Sequence, residues 1–184
     1  MTRTLSTADE RREAILEAAQ RVVAARGLHA APTTEVAKAA GISQAYLFKL
    51  FPTKTELLVA TVKRGNERIY EAFAEAAAEA KAAGEDPLHA MGETYMKLIE
   101  DRDMLLIQLH AHAGAADIPE IREAARQCFA LLFDLVERET GADAETIRGF
   151  FAVGMLCNVM TALGAADIDE PWAQVLASHP DDKP

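Results

Sequence analysis

Ser43, Gln44, Tyr46 and Lys49 sit close together, and on a helix whose Leu47 and Leu50 turn inward all four point outward. A hydroxyl, a carboxamide, a phenol and an ammonium on one short exposed helix are the groups that hydrogen-bond base edges and phosphates in a DNA major groove. Phe48 lies among them without a polar atom and is assigned to packing or van der Waals contact. Elsewhere no nucleophile is paired with a base, no glycine loop is shaped to cradle phosphate and no carboxylates are suitably spaced. No catalytic residue is therefore assigned, and an enzyme is not expected.

The elements that must hold this face can be built residue by residue. Thr33 and Thr34 follow a proline and offer hydroxyls to the first N–H groups of a helix. Ala37 is small enough to let two helices cross closely, and Gly41 supplies the left-handed turn that ends the first of them. Ile42 points inward and Ser43 caps the second helix. Ahead of this pair, Arg12 to Arg26 reads as an amphipathic helix with Ile15, Ala18, Ala19, Val22 and Val23 on one stripe, ended by Gly27. Behind it, Thr53 caps a further helix, with Glu56 placed for a capping box. Helix, tight turn and helix in this order form a helix-turn-helix, whose second helix enters the major groove; an ordinary helical hairpin would share the apolar positions.

Those residues carry a resemblance. Arg12, the run Ile15-Leu16-x-Ala18-Ala19, Gly27, Thr33-Thr34, Val36-Ala37, Ala40-Gly41-Ile42-Ser43, Leu47, Phe51, Lys54 and Leu57-Leu58 make the first sixty or so residues similar to the DNA-binding domain of the TetR family of bacterial transcriptional repressors. The resemblance implies phosphate contacts from Thr34 and Lys54, with Thr33 beside them, and groove contacts from Ser43, Gln44, Tyr46 and Lys49. Phe48 departs from the family, which usually has there a tyrosine whose hydroxyl touches a phosphate.

The chain has 184 residues, half of them apolar, enough for a substantial core. A net charge of −10 opposes DNA binding by the chain as a whole, but residues 1–60 carry eight basic against six acidic side chains and the remainder eleven against twenty-three. A slightly basic head on an acidic body still grips phosphate locally, and repulsion of the body orients its approach. Arg3, Arg11 and Arg12 would extend the head as a short basic arm. No run approaches the roughly 20 apolar residues of a spanning helix, no signal peptide opens the chain, and two cysteines make no disulfide framework. A cytoplasmic protein with no membrane partner is expected.

After Pro52 every periodic segment is helical. Helices are predicted over 54–83, 87–100, from an Asp103 cap to His112, over 119–140 and over 143–163, followed by a docking segment at Trp172 and frayed residues. The expected fold is all-α: a DNA-binding head (1–53) linked by a long helix to a helical ligand-binding and dimerisation domain (54–184). On the last two long helices the apolar stripes are wider than one core face needs, which assigns Cys128, Leu132, Leu135, Ile147, Phe150, Gly154, Cys157 and Thr161 to a homodimer interface. A monomeric bundle would show similar stripes.

Met91, Tyr95, Met104, Phe129 and Phe133 could line an adaptable cavity or simply fill a core; with Gln108, His112 and Asn158 as polar groups they form the candidate site for a small, mostly apolar effector. His110 and His112 lie two apart on a helix and point to different faces, so no metal site is assigned, and no cofactor is implied. Cys128 and Cys157 read as small buried hydrophobes or as a redox pair. The expected function is a ligand-responsive homodimeric repressor on a palindromic double-stranded DNA operator. The alternatives are a helical small-molecule-binding protein with a structural hairpin, and a cysteine-based redox regulator.

Overall fold

The computed structural model describes residues 8–177, and among these there are helices and no strand. Arg3 of the expected basic arm and the last residues of the tail lie outside the described residues. The chain divides into two compact units: 1–67 with 106–128, and 68–105 with 129–184.

In the first unit, α1 (Ala8–Ala30), α2 (Thr33–Ala39), α3 (Gln44–Leu50) and the start of α4 (Lys54–Ala83) close over one core of Ile15, Leu16, Ala18, Ala19, Val36, Ala37, Leu47, Phe51 and Leu57. Ile42 and Leu50 pack against it from the turn and from α3. Arg11 and Arg12 belong to α1 itself and form no arm. Regular helix breaks at Gly27, where φ is 75°, and one more turn follows to Ala30. The α2–α3 turn is fixed at Gly41, whose φ of 68° suits glycine, by Ile42 N–H donating to the Ala37 carbonyl at 2.9 Å.

The caps differ in detail from expectation. Pro32 occupies the N-cap position of α2 and neither threonine caps it; the Thr33 hydroxyl is turned to Gln44. Ser43 does cap α3, accepting from Tyr46 N–H at 3.2 Å. Thr53 accepts from Glu56 N–H and donates back to the Glu56 carboxylate, both at 3.1 Å, so the pair is joined through one hydroxyl.

The first unit also takes in residues of α6 (Arg102–Gly114) and α7 (Pro119–Thr140). The cap of α6 is Asp101, which accepts from Asp103 and Met104 N–H; Asp103 itself lies one residue inside the helix. Gly114 closes α6 against α1, since a Cβ there would come 2.4 Å from Leu28 Cδ1.

The second unit holds the rest of α4, α5 (Pro87–Glu100), the start of α6, the second half of α7, α8 (Ala144–Leu163), a 3₁₀ turn (Ala165–Asp167) and α9 (Pro171–Ala177). Asp86 and Asp143 cap α5 and α8. The C-terminal segment docks through Ala173, packed with Met160 and Ala165, while Trp172 stays exposed. By length and composition α8 could cross a membrane, against the expectation that no run was apolar enough. Glu145 and Arg148 sit in its first turns and interrupt the apolar run there, while the stretch beyond them is apolar to Leu163.

The Gly41 turn generates a test. Gly41→Ala meets no steric obstacle but must hold a left-handed backbone. It should cost about 1 kcal/mol, seen as a lower urea midpoint with unchanged slope.

Candidate nucleic-acid interface and effector site

The outward face of α3 is built as the sequence implies. Ser43, Gln44, Phe48 and Lys49 are exposed, Tyr46 is half-buried, and Leu47 is completely buried beneath them. Gln44 Nε2 donates to Thr33 Oγ1 at 2.9 Å, a bond that ties the first residue of α3 to the first of α2. One Gln44 amide oxygen and one N–H remain for a base edge or phosphate. Thr34 is exposed at the start of α2.

Two cations lie differently from expectation. Lys54 Nζ donates to the His29 carbonyl at 2.7 Å, so it fastens the start of α4 to the last turn of α1; its remaining N–H bonds are what a phosphate would use. Arg11, read from sequence as part of a short basic arm, places a guanidinium nitrogen 3.5 Å from the Tyr46 hydroxyl. Arg12 lies over the Phe51 ring, 4.4 Å from its centroid. Arg11 thus stands beside the outward face of α3, a placement that sequence spacing could not find. Its proximity to α3 arises from helix packing across a separation of 35 residues.

The residues expected to bind an effector do not all fall in one unit. Met91, Tyr95, Met104, Phe129, Phe133 and Asn158 belong to the second unit, Gln108 and His112 to the first. Met91, Met104 and Asn158 are fully buried, Tyr95 is half-buried, and Phe129 and Phe133 are exposed. In the second unit Tyr95, Phe73, Phe150, Phe151 and Phe129 form a row of rings, successive centroids 5.7–6.0 Å apart. The Tyr95 ring lies against α8 at Gly154, where a Cβ would sit 3.4 Å from it, in ordinary van der Waals contact. Tyr95 donates its hydroxyl to Asn158 Oδ1 at 2.9 Å.

The proposed dimer residues also separate. Cys128, Leu132, Leu135 and Ile147 are buried within the chain, Phe150, Gly154 and Cys157 are partly exposed, and Thr161 is exposed. The apolar side chains that α7 and α8 expose are instead Leu131, Phe129 and Phe133, with Val153, Leu156, Val159 and Leu163 at helical spacing. Both helices are apolar on two faces, and periodicity does not say which one the chain's own core takes.

Burial pushes both thiols up, Cys128 and Cys157 alike, away from the reactive thiolate. Burial likewise pulls His112 below the ordinary histidine value. A folded-state value lower than the unfolded one contributes stability above about pH 6.5 that is lost as pH falls through the folded value. The melting temperature should therefore drop on acidification below about pH 6.5, and His112→Gln should make that drop shallower; an unchanged acid limb would dismiss the role of His112.

Residues 15–61 match the bacterial regulatory proteins of the tetR family. Over 151 residues, 80% of this chain and 68% of the relative, the sequence is 30% identical to the HTH-type transcriptional activator FasR of Mycolicibacterium smegmatis. A member of the TetR family from Streptomyces coelicolor superposes with a TM-score of 0.70 at 25% identity, covering 91% of this chain and 96% of that one. The fold is shared at 17% identity and a TM-score of 0.69 by FadR of Bacillus subtilis in complex with stearoyl-CoA, over 91% of this chain and 99% of that one. The match across the head, the identity extending through four fifths of the chain and the helical architecture agree: this chain belongs to the TetR family and is a DNA-binding transcriptional regulator.

Proposed function

We propose that the protein is a ligand-responsive homodimeric repressor that reads a palindromic operator with α3 of each protomer. The observation that supports dimerisation most strongly is the apolar stripe Val153–Leu156–Val159–Leu163 exposed on α8, together with the exposed Phe129 and Phe133 of α7. A water-exposed stripe of this length on a soluble regulator is costly, and a second copy covers it while pairing two reading heads. Two heads then address half-sites about 34–36 Å apart on one face of the duplex.

In each head, Gln44, Tyr46 and Lys49 contact the groove, Ser43 caps the reading helix, Phe48 offers van der Waals contact, and Thr33, Thr34, Lys54 and Arg11 serve the backbone. The effector is a small, largely apolar molecule held by the ring-bearing α4, α5 and α8 of the second unit. FadR binds stearoyl-CoA, a molecule with a long apolar chain, on the same fold. The continuous helix α4 begins beside α3 and carries residues of both units, so it is the element through which effector binding reaches the head. Release of the operator requires only a few kcal/mol of preference for one state. FasR is an activator; the sign of control here is read from a deletion strain, in which repression predicts a rise and activation a fall of the promoters overlapping the operator.

The dimer is tested by sedimentation and DNA titration together. Leu156→Glu should yield monomers and lose operator affinity by at least about tenfold, while retaining salt-dependent non-specific binding; dimers of unchanged affinity would overturn this interface. Gln44→Ala should relax sequence preference, at a cost of about 1–3 kcal/mol. Lys49→Ala should weaken binding and, where it meets a phosphate, lower the salt slope by about one.

A further inference from the structure

Asn158 stands out among the buried polar groups. Its side chain on α8 is fully buried, its Oδ1 accepts from the Tyr95 hydroxyl at 2.9 Å, and its Nδ2 has no hydrogen-bond partner. An unmet buried amide donor is destabilising, and native structures keep few of them without a reason. The surroundings narrow that reason. Tyr95 also packs edge-on to Phe73 at 5.9 Å, and its ring lies against α8 at Gly154, one helical turn before Asn158. The Tyr95 hydroxyl thereby holds the amide oxygen and leaves the N–H groups as the polar feature of an aromatic environment.

We propose that Asn158 Nδ2 is the polar anchor of the effector site and that it donates to the carbonyl oxygen of a neutral ketone, ester or amide carrying apolar or aromatic groups. This rests on the reading of the second unit as the effector-binding body. A neutral donor on its own does not offset the cost of burying a carboxylate, and its positive end repels a cation. A carbonyl supplies the missing acceptor without importing charge, and its apolar substituents meet the row of rings.

The test uses the full-length protein and two isosteric probes, benzophenone and 1,1-diphenylethylene, which differ only in carbonyl oxygen against methylene. Calorimetric titration should show benzophenone binding at least about tenfold tighter, equivalent to 1.4 kcal/mol. Asn158→Leu should remove that preference and still bind the hydrocarbon, with an unchanged circular dichroism spectrum. Tyr95→Phe, which keeps the ring and frees the amide to turn, should narrow the preference without abolishing binding. Equal affinities in the wild type, or a preference that survives in Asn158→Leu, would overturn the anchor while leaving the effector site standing. Tighter binding of diphenylacetate or tetraphenylphosphonium than of benzophenone would overturn the neutral class. Binding of none of the probes would overturn anchor and effector reading together.

Discussion

A helix of seven residues has almost no stability of its own in water, because nucleation costs more than so few hydrogen bonds return. The short helix α3 therefore depends on its packing, above all on Leu47, which is completely buried in the core formed by Ile15, Ala19, Val36, Phe51 and Leu57, with Leu50 and Ile42 packed against that core beside it. The placement of its outward residues depends on those inward side chains and on the Ser43 cap that sets where the helix begins. The bond from Gln44 to Thr33 and the packing of Arg12 on Phe51 then fix the outward residues against α2 and α1. The head is a rigid presentation of polar groups, as recognition at hydrogen-bond precision requires.

The same economy appears where α1 ends. Gly27 breaks the helix, His110 Nε2 lies 3.4 Å from the Ala24 carbonyl, and Lys54 holds the His29 carbonyl. Residues from α4 and α6 thus serve the backbone groups that the broken helix leaves open. In the first unit, the residues that end α1 are also those that tie it to α4 and α6.

Much of this was legible in the sequence because local signals were strong. Gly41 after a small-residue helix and Ser43 as the cap of the helix that carries Leu47 and Leu50 each mark a boundary that the structure keeps, and the predicted spans 54–83, 87–100 and 119–140 coincide with helices. Cap chemistry is less transparent: Pro32 and Asp101 hold the cap positions that the sequence assigns to Thr33, Thr34 and Asp103, because neighbouring residues offer alternative starts to the same helix. The apolar face of α7 was misplaced for a different reason. Leu132 and Leu135 repeat as regularly as Phe129 and Phe133, and only tertiary packing decides that the first pair turns inward. Arg11 beside Tyr46 and the Tyr95–Asn158 bond were invisible because each joins residues distant along the chain.

The central claim is that the exposed face of α3 reads DNA sequence from a two-fold assembly, and selection of genomic fragments by the purified protein at near-physiological salt tests it most directly. The account predicts recovery of an inverted repeat whose half-sites lie about one helical turn apart, with enrichment lost in Gln44→Ala. Recovery of fragments with no shared sequence, released alike by rising salt, would contradict it and reduce α3 to a structural helix on a non-specific head.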